Sequence, residues 1–304
     1  MEQRKHTGEY ALITGATSGF GYEFARLFAA DGYNLVLVAR SEDRLQQVAD
    51  EMMSYYGITA IPLAKDLFYS DAAREIYEEV RQRGIHIDVL VNDAGQGEWG
   101  HFADIELQRS LDIIQLNITS LVALTRYFMT PMLERGAGKI LQVASEAAKA
   151  PMPLLSVYAA TKAFVLSFSE ALTNELEGSG VTVTALLPGA ADTDFFHKAH
   201  AESTVTYREE ELQTPEEVAL DGYKALMNGE AKVISGGKTK MHVFMANIMP
   251  DEANAGNMRK KMEVSDKKEG RECPAHTASK KERDDINRLT GVMSGDRTEE
   301  QYGF

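Results

Sequence analysis

The sequence predicts an α/β fold: a doubly wound parallel sheet of about seven strands, helices on both of its faces, and a charged C-terminal extension. Three observations lead to this class of fold. Short apolar runs alternate with longer stretches of helical spacing, a glycine-rich turn follows the first apolar run, and charges of both signs crowd the last 54 positions.

Short apolar runs bounded by Gly, Asn or Pro mark the strands. The predicted strands are Tyr10–Thr14, Asn34–Ala39, Thr59–Pro62, Val89–Asn92, Lys139–Ala144, Val181–Leu187 and Lys232–Ser235. The stretches between them predict helices over Gly21–Ala30, Glu42–Tyr56, Asp71–Arg83, Leu107–Arg135, Leu155–Glu177 and Pro215–Met227. The last helix has a strong start signal, because the Thr214 hydroxyl can cap it and Pro215 occupies its first position.

Composition restricts the classes of function. Of the 304 residues, 44% are hydrophobic and 26% are charged, which is typical of a globular body with a sizeable core. The formal net charge of −14 argues against nucleic acid and anionic membranes as partners. No apolar run approaches the ~18 residues of a membrane helix, and the start of the chain carries no signal-peptide pattern. With Cys273 as the single cysteine, we expect a cytoplasmic protein.

Two regions interrupt the alternation of strands and helices. Ala190–Gln213 is a long polar connection between a strand and a helix, a position typical of a lid or substrate loop. Residues 251–304 hold 12 acidic and 11 basic residues with few large apolar ones. We predict a folded domain over residues 1–250 and a tail over residues 251–304 that is weakly helical or disordered and adds nothing to the core.

The glycine-rich turn, Thr14-Gly-Ala-Thr-Ser-Gly-Phe-Gly21, lies between the first strand and the first helix. Its glycines allow a tight turn and a close approach of the backbone to a pyrophosphate at a helix N-terminus, as in Rossmann-type sheets. An ordinary turn is the alternative. The predicted cofactor contacts of this turn are Thr14, Gly15, Thr17, Ser18, Gly19, Phe20 and Gly21.

The end of the second strand distinguishes between nicotinamide cofactors. NAD-binding sheets place a carboxylate there, about 20 residues beyond the glycine turn, to bind the ribose 2′-hydroxyl. This chain has Ala39 followed by Arg40, with Arg44 one helical turn further on. A guanidinium binds a 2′-phosphate through charge-assisted hydrogen bonds, so the pattern favours NADP(H).

A tyrosine and a lysine four residues apart form a candidate acid/base pair. Tyr158 and Lys162 would share one helix face. Lowering the pKa of a tyrosine from ~10 to ~7 takes about 4 kcal/mol, which a lysine charge ~4 Å away supplies at an effective dielectric of ~20. Ser145, at the carboxyl end of the fifth strand, could donate a hydrogen bond to the reacting oxygen.

Together, in this order and spacing, these motifs resemble the short-chain dehydrogenase/reductase family over about residues 8–250, and in particular its bacterial NADP(H)-using reductases of broad substrate range. Asp93 departs from the family, because the segment Asn92-Asp93-Ala94-Gly95 corresponds to an Asn-Asn-Ala-Gly motif. The catalytic set that the resemblance implies is Asn117, Ser145, Tyr158 and Lys162. The cofactor-binding positions that it adds are Asp66, Leu67, Asn92, Ala94, Gly95, Tyr158, Lys162, Pro188, Gly189, Ala191 and Thr193.

The leading hypothesis is therefore an NADP(H)-dependent oxidoreductase that transfers hydride between nicotinamide and a carbonyl or alcohol. In it Tyr158 is the acid/base, Lys162 tunes it and orients the ribose, Ser145 positions the substrate oxygen and Asn117 supports a proton relay through its amide or a freed carbonyl, as the resemblance implies. The rival is a non-catalytic NADP(H)-binding module that acts through its tail. A hydrolase with Ser145 as nucleophile is a weaker alternative, because its flanks lack a glycine elbow.

Substrate and assembly follow from apolar patterns. The segments Gln96–Trp99, Ala147–Leu155 and Asp194–Tyr207 should line the substrate cavity; they carry apolar residues and few basic ones, which favours a neutral or apolar substrate. His197 and His200 could clasp a metal, but no further ligands lie near them in the sequence, so we expect no metal site. The predicted helices Leu107–Arg135 and Leu155–Glu177 are apolar on more than one face, which predicts a homodimer or homotetramer.

Overall fold

The computed structural model describes His6 and residues 8–266. Its strands are β1 (Tyr10–Thr14), β2 (Asn34–Ala39), β3 (Ala60–Ala64), β4 (Val89–Asn92), β5 (Gly138–Val143), β6 (Val181–Leu187) and β7 (Lys232–Ile234). They form one parallel sheet in the order β3-β2-β1-β4-β5-β6-β7. The predicted seven-stranded, doubly wound sheet is confirmed.

The strand order reverses next to β1. From β1 the chain first crosses to β2 and β3, and it then returns to the other side of β1 to build β4 to β7. The connection that follows β1 and the connection that follows β4 therefore run on opposite faces of the sheet. This opens a crevice at the carboxyl ends of the two strands, where ligands of such sheets bind.

Helices cover both faces of the sheet. They are α1 (Gly19–Ala30), α2 (Glu42–Tyr56), α3 (Ala72–Gln82), α4 (Leu107–Ile114), α5 (Ser120–Arg135), α6 (Ser156–Glu175), α7 (Phe195–Lys198), α8 (Val205–Glu209), α9 (Pro215–Met227), α10 (Gly237–Ile248) and α11 (Asp251–Met262). Phe24 and Phe28 of α1 pack with α2 and α9 on one face, and Leu124 and Phe128 of α5 pack with α3 and α6 on the other. Within the described residues no helix combines the length and apolar character needed to cross a bilayer.

The single helix predicted over Leu107–Arg135 is wrong in its middle. A π-helical turn, Gln115–Thr119, separates α4 from α5. Such turns insert one residue into the α-helical hydrogen-bonding pattern and are frequent at functional sites. Asn117 lies in this turn and is buried, which places it beside the crevice.

The segment after β6 is more ordered than the predicted polar loop. It contains α7 and α8, and Phe196, Ala199, Ala201 and Tyr207 form an apolar cluster of their own. Periodicity could not reveal these helices, because each spans five residues or fewer.

The prediction that residues after 250 add nothing to the core is wrong for the described part of that segment. Helix α11 packs on the body, and its Met262 is only 5% exposed. Met258 and Met262 share one face of the helix and contact an apolar cluster. The prediction missed them because it rested on the composition of the segment, in which charged residues predominate. Cys273 and the remaining tail lie outside the described residues, so the expected tail character stays a prediction there.

Candidate active site

One continuous cavity lies at the carboxyl ends of β1, β4, β5 and β6. Its lining contains most of the predicted site residues: Gly15, Ser18, Gly19, Phe20, Ala94, Gly95, Ser145, Tyr158, Lys162, Pro188, Gly189, Ala191 and Thr193. Of the predicted substrate segments, Ala147–Leu155 and Asp194–Tyr207 contribute to the lining, whereas Gln96–Trp99 does not. The cavity joins the proposed cofactor site to the proposed substrate site.

The glycine turn has the geometry that the sequence predicts. Gly15 and Gly19 have φ angles of +73° and +55°, which favour glycine. A Cβ atom on Gly21 would collide with the Gly15 carbonyl oxygen. The Ser18 side chain makes no capping hydrogen bond to α1. The backbone of the turn and of the helix start borders the cavity at Gly15, Ser18 and Gly19. The turn therefore fits a pyrophosphate.

Thr14, Thr17, Gly21 and Asn92 support the cavity but are not part of its lining. The Thr14 hydroxyl oxygen accepts hydrogen bonds from the N–H groups of Asp93 and Ala94, both at 3.0 Å, and so joins the turn to the end of β4. The Asn92 amide donates to Thr125 Oγ1 at 3.1 Å and to Gln142 Oε1 at 3.0 Å behind the cavity.

The structure brings together Ser145, Tyr158 and Lys162. Ser145 follows β5, and its hydroxyl is near enough to Tyr158 to oppose the rise of the tyrosine pKa; it accepts a hydrogen bond from the Ala147 N–H at 3.1 Å. Lys162 Nζ donates to the Val143 carbonyl oxygen at 2.7 Å and lies 5.7 Å from the centroid of the Tyr158 ring. The three side chains are held by β5 and α6, two rigid elements.

The electrostatics of this group differ from the sequence prediction. Burial raises the pKa of Tyr158 to about 12, with Asp93 and Glu146 adding to the rise and the Ser145 hydroxyl opposing it. The expected lowering by Lys162 is not found. Burial lowers the pKa of Lys162 itself, and the Asp93 carboxylate opposes that effect. The carboxylate of Asp93 thus acts on both side chains. The sequence prediction considered Tyr158 and Lys162 alone.

Asp93, the departure from the family motif, lies between the glycine turn and Lys162. Burial raises the pKa of its carboxyl group, while Lys162, the Gly21 N–H and Lys198 oppose the rise. A carboxylate therefore faces the cofactor cavity where the motif has an amide. The sequence revealed the departure but not its charged neighbours.

Asn117 is a positioning residue in this structure. Its amide nitrogen donates to the Gln96 carbonyl oxygen and to Thr161 Oγ1, each at 2.9 Å, and its Oδ1 accepts from the Gln96 N–H at 3.0 Å. The side chain thus ties the segment after β4 to α6. These bonds use both hydrogens of the amide, and the expected proton relay through the amide or a freed carbonyl stays a prediction.

The predicted adenosine-binding residues lie outside the cavity lining. Arg40, Arg44, Asp66 and Leu67 follow the neighbouring strands β2 and β3. Arg40 is exposed, and its guanidinium lies 5.2 Å from the centroid of the Phe68 ring. Asp66 Oδ1 accepts from the Phe68 N–H at 3.1 Å. Their role in binding the cofactor stays a prediction.

One wall of the cavity is apolar and includes two residues that sequence reasoning missed. Met258 and Met262 of α11 pack against the cluster that contains Met152, Leu155 and Tyr158. Their spacing of four residues was the available signal. The Phe195 ring completes this wall, with its centroid 4.8 Å from that of Tyr158.

Main-chain hydrogen bonds fasten the end of α11 to the segment after β6. We call residues 258–266 the strap. Its Glu263 carbonyl accepts from the Val205 N–H at 3.0 Å, and its Ser265 N–H donates to the Ser203 carbonyl oxygen at 2.8 Å. Trp99 Nε1 donates to the Met262 carbonyl oxygen at 2.7 Å. The strap is therefore a built part of the cavity wall.

The two loop histidines have protein partners. His197 Nδ1 lies 3.0 Å from Glu202, and His200 Nδ1 lies 2.7 Å from Glu98. Within the described residues no group of three or more His, Cys, Asp or Glu side chains could hold a metal ion.

The sheet, its switch point and the glycine turn place the protein in the class of Rossmann-type, dinucleotide-binding folds. The short chain dehydrogenase family model matches residues 9–204, and the chain belongs to that family.

Relatives and solved structures agree with this assignment. A short chain dehydrogenase of Pseudocercospora fijiensis is 36% identical over 189 residues, which cover 62% of this chain and 61% of the relative. A very-long-chain 3-oxoacyl-CoA reductase of Anas platyrhynchos is 36% identical over 187 residues, which cover 60% and 59%. The chain thus spans about three fifths of the length of these curated relatives. A short-chain dehydrogenase from Sphingobium yanoikuyae in complex with NADPH has a TM-score of 0.71 and 31% identity over 85% of this chain and 99% of that one.

Proposed function

We propose that the protein is an NADP(H)-dependent oxidoreductase that reduces a carbonyl group of a neutral or apolar substrate to an alcohol, with Tyr158 as the proton donor. The observation that carries the proposal is the grouping of Ser145, Tyr158 and Lys162 between a glycine turn suited to a pyrophosphate and an apolar cavity end. Membership of the family supports the reaction class.

The residues divide the chemistry among them. When bound, the cofactor supplies a hydride to the carbonyl carbon. The Tyr158 hydroxyl gives its proton to the carbonyl oxygen, and the Ser145 hydroxyl holds that oxygen by a hydrogen bond as negative charge develops on it. The Lys162 ammonium is held by the Val143 carbonyl oxygen and would orient the ribose of the cofactor. Asn117 keeps the segment after β4 against α6.

The composition of the cavity supports a neutral or apolar substrate. Met152, Leu155, Phe195, Met258 and Met262 form its far wall. Such a wall binds by burial of apolar surface, at roughly 25 cal/mol per Å². The name of the Anas platyrhynchos relative, a 3-oxoacyl-CoA reductase, is compatible with a carbonyl flanked by an apolar chain.

The proposal is tested by following NADPH oxidation with a panel of aldehydes, ketones, diketones and 3-oxoacyl thioesters, with NADH in parallel. Turnover that requires NADPH supports the proposal. Tight NADPH binding without turnover on any substrate would favour the rival, a non-catalytic binding module, and hydrolysis of esters without nicotinamide would favour the hydrolase. Absence of binding of either cofactor would overturn both nicotinamide hypotheses.

Arg40 provides a test of the cofactor preference. The exposed guanidinium beside Phe68 is proposed to bind the 2′-phosphate. Arg40→Met should raise the Kd for NADPH about tenfold and leave the Kd for NADH unchanged, because NADH has no 2′-phosphate. Fluorescence titration of both cofactors measures this, with Arg126→Met on α5 as the control. Equal changes for the two cofactors would contradict the assignment.

We also propose a homodimer or homotetramer built on α4, α5 and α6. Most apolar side chains that the sequence assigned to this interface, such as Leu124 and Leu166, are instead buried in the chain's own core. The large apolar side chains exposed there are Leu107, Leu111, Ile114, Leu133 and Phe164. The apolar surface available for an interface between subunits is therefore smaller than the number of apolar residues in these helices indicates.

Phe164 tests this assembly, since it is 40% exposed on α6. Phe164→Glu should shift the protein to monomers at micromolar concentration, because a carboxylate buried in an apolar interface carries a large desolvation penalty. Light scattering after size-exclusion chromatography measures the mass. The exposed Phe244 on α10 offers a matched control, Phe244→Glu, that should leave the mass unchanged. An unchanged mass for both variants would contradict an interface at α6.

A further inference from the structure

A lysine from the substrate-lining segment reaches the glycine turn. Lys198 is the last residue of α7, and its Nζ donates to Ser18 Oγ at 3.4 Å, 180 positions away in the chain. Both residues line the cavity together with Gly15 and Gly19. The side chain is 44% exposed, so it keeps room for a further partner.

The backbone that carries Lys198 is fixed from two directions. The Arg109 guanidinium donates to the Lys198 carbonyl oxygen at 3.5 Å, and Arg109 is itself paired with Glu98 at 2.8 Å. The next residue, Ala199, accepts through its carbonyl oxygen from the Trp99 N–H at 2.8 Å. The backbone from which the Lys198 side chain reaches the turn is therefore held by hydrogen bonds.

The carboxylates near Lys198 do not explain its position. Asp194 lies one helical turn before it, with Oδ2 3.5 Å from Nζ, and this exposed pair contributes little. Asp93 interacts with Lys198 electrostatically across the cavity. The ammonium instead extends toward a turn whose backbone already suits an anion, and a pyrophosphate, with one negative charge on each phosphoryl group, would complement both.

We propose that Lys198 binds the pyrophosphate of the nicotinamide cofactor. The short helix α7 would then contact both ligands, since Lys198 binds the cofactor and Phe195 lines the proposed substrate site beside Tyr158. The proposal rests on the proposed function, which supplies the ligand.

The test measures cofactor binding on the full chain without turnover. The chain's single tryptophan, Trp99, contacts this segment, so energy transfer from Trp99 to bound reduced nicotinamide gives the signal. Lys198→Met should raise the Kd about tenfold for NADPH and by the same factor for NADH, because both contain the pyrophosphate. Lys198→Arg should retain most of the affinity, and Lys240→Met, an equal charge change on exposed α10, should have no effect.

Each other outcome has a distinct meaning. An unchanged Kd for Lys198→Met, with an unchanged melting temperature, overturns the proposal. A loss for NADPH alone assigns Lys198 to the 2′-phosphate and overturns the pyrophosphate contact. A wild-type chain that binds neither cofactor overturns the proposed function, and this result is distinguishable because it does not depend on any Lys198 variant.

Discussion

Replacement of Tyr158 by phenylalanine is expected to lower kcat for NADPH-dependent carbonyl reduction about 10³-fold while the Kd for NADPH stays within about twofold. The ring remains, so its packing against Phe195 at 4.8 Å is preserved. Only the hydroxyl that gives its proton to the substrate oxygen is lost, and a positioned proton donor contributes 10²- to 10⁴-fold to the rate. Steady-state kinetics and a fluorescence titration measure the two quantities.

A matched control separates this effect from a general loss of hydroxyl packing. Tyr127 lies on α5 and stacks on Tyr77 away from the cavity, with 5.2 Å between ring centroids. Tyr127→Phe removes the same atom and should leave kcat unchanged. If Tyr158→Phe retained a tenth or more of the activity, the proton would have to come from another group and the proposed role would be wrong.

The direction of the Tyr158 pKa shift makes the pH profile of the wild type part of the same test. A pKa raised to about 12 by burial keeps the phenol protonated across the neutral range, so the acid required for reduction is present. Reduction should decline only as pH rises above the pKa of Lys162, which burial lowers to about 8, because the ammonium proposed to orient the cofactor ribose then loses its charge. Alcohol oxidation requires the tyrosinate, so its rate should increase with pH, up to tenfold per unit below the pKa of Tyr158.

Sequence reasoning predicted correctly the elements whose local sequence signal is compatible with only one structure. The cap at Thr214 and Pro215 set the first residue of α9, and its prediction matches the structure. Alternating short apolar runs gave the seven strands, because parallel strands buried on both faces must be apolar throughout. The glycine turn, Ser145, Tyr158 and Lys162 were likewise brought together, since the carboxyl ends of parallel strands share one edge of the sheet.

The features that sequence reasoning missed depend on contacts between distant segments. The pKa of Tyr158 could not be derived from Tyr158 and Lys162 alone, because Asp93 and burial act on both. The π-helical turn around Asn117 interrupts a region whose apolar spacing is continuous. Charged residues of the strap concealed Met258 and Met262, whose burial depends on a cavity built by β5, α6 and α7.

The strap yields the second prediction, a change of substrate preference. Met262→Ala is expected to lower kcat/KM for bulky apolar ketones about tenfold while small aldehydes are affected less than about twofold. Met262 is buried beside Met152, Leu155 and Tyr158. The substitution removes three heavy atoms, and a substrate that loses contact with about two of them loses roughly 1.5 kcal/mol, which is about tenfold. Only a substrate long enough to reach the strap experiences that loss. Competition between one ketone and one aldehyde measures the ratio directly.

The control for the strap is the same substitution at an exposed methionine. Met241 on α10 is 61% exposed, so Met241→Ala should change neither substrate preference nor melting temperature. Met262→Ala also leaves a cavity, which lowers stability by about 2 kcal/mol or more, so both variants are compared well below their melting temperatures. The Trp99 hydrogen bond to the Met262 carbonyl oxygen involves the main chain and survives the substitution. A parallel loss for ketone and aldehyde would therefore indicate disturbed Tyr158 geometry and not a lost substrate contact, and the strap would then be structural.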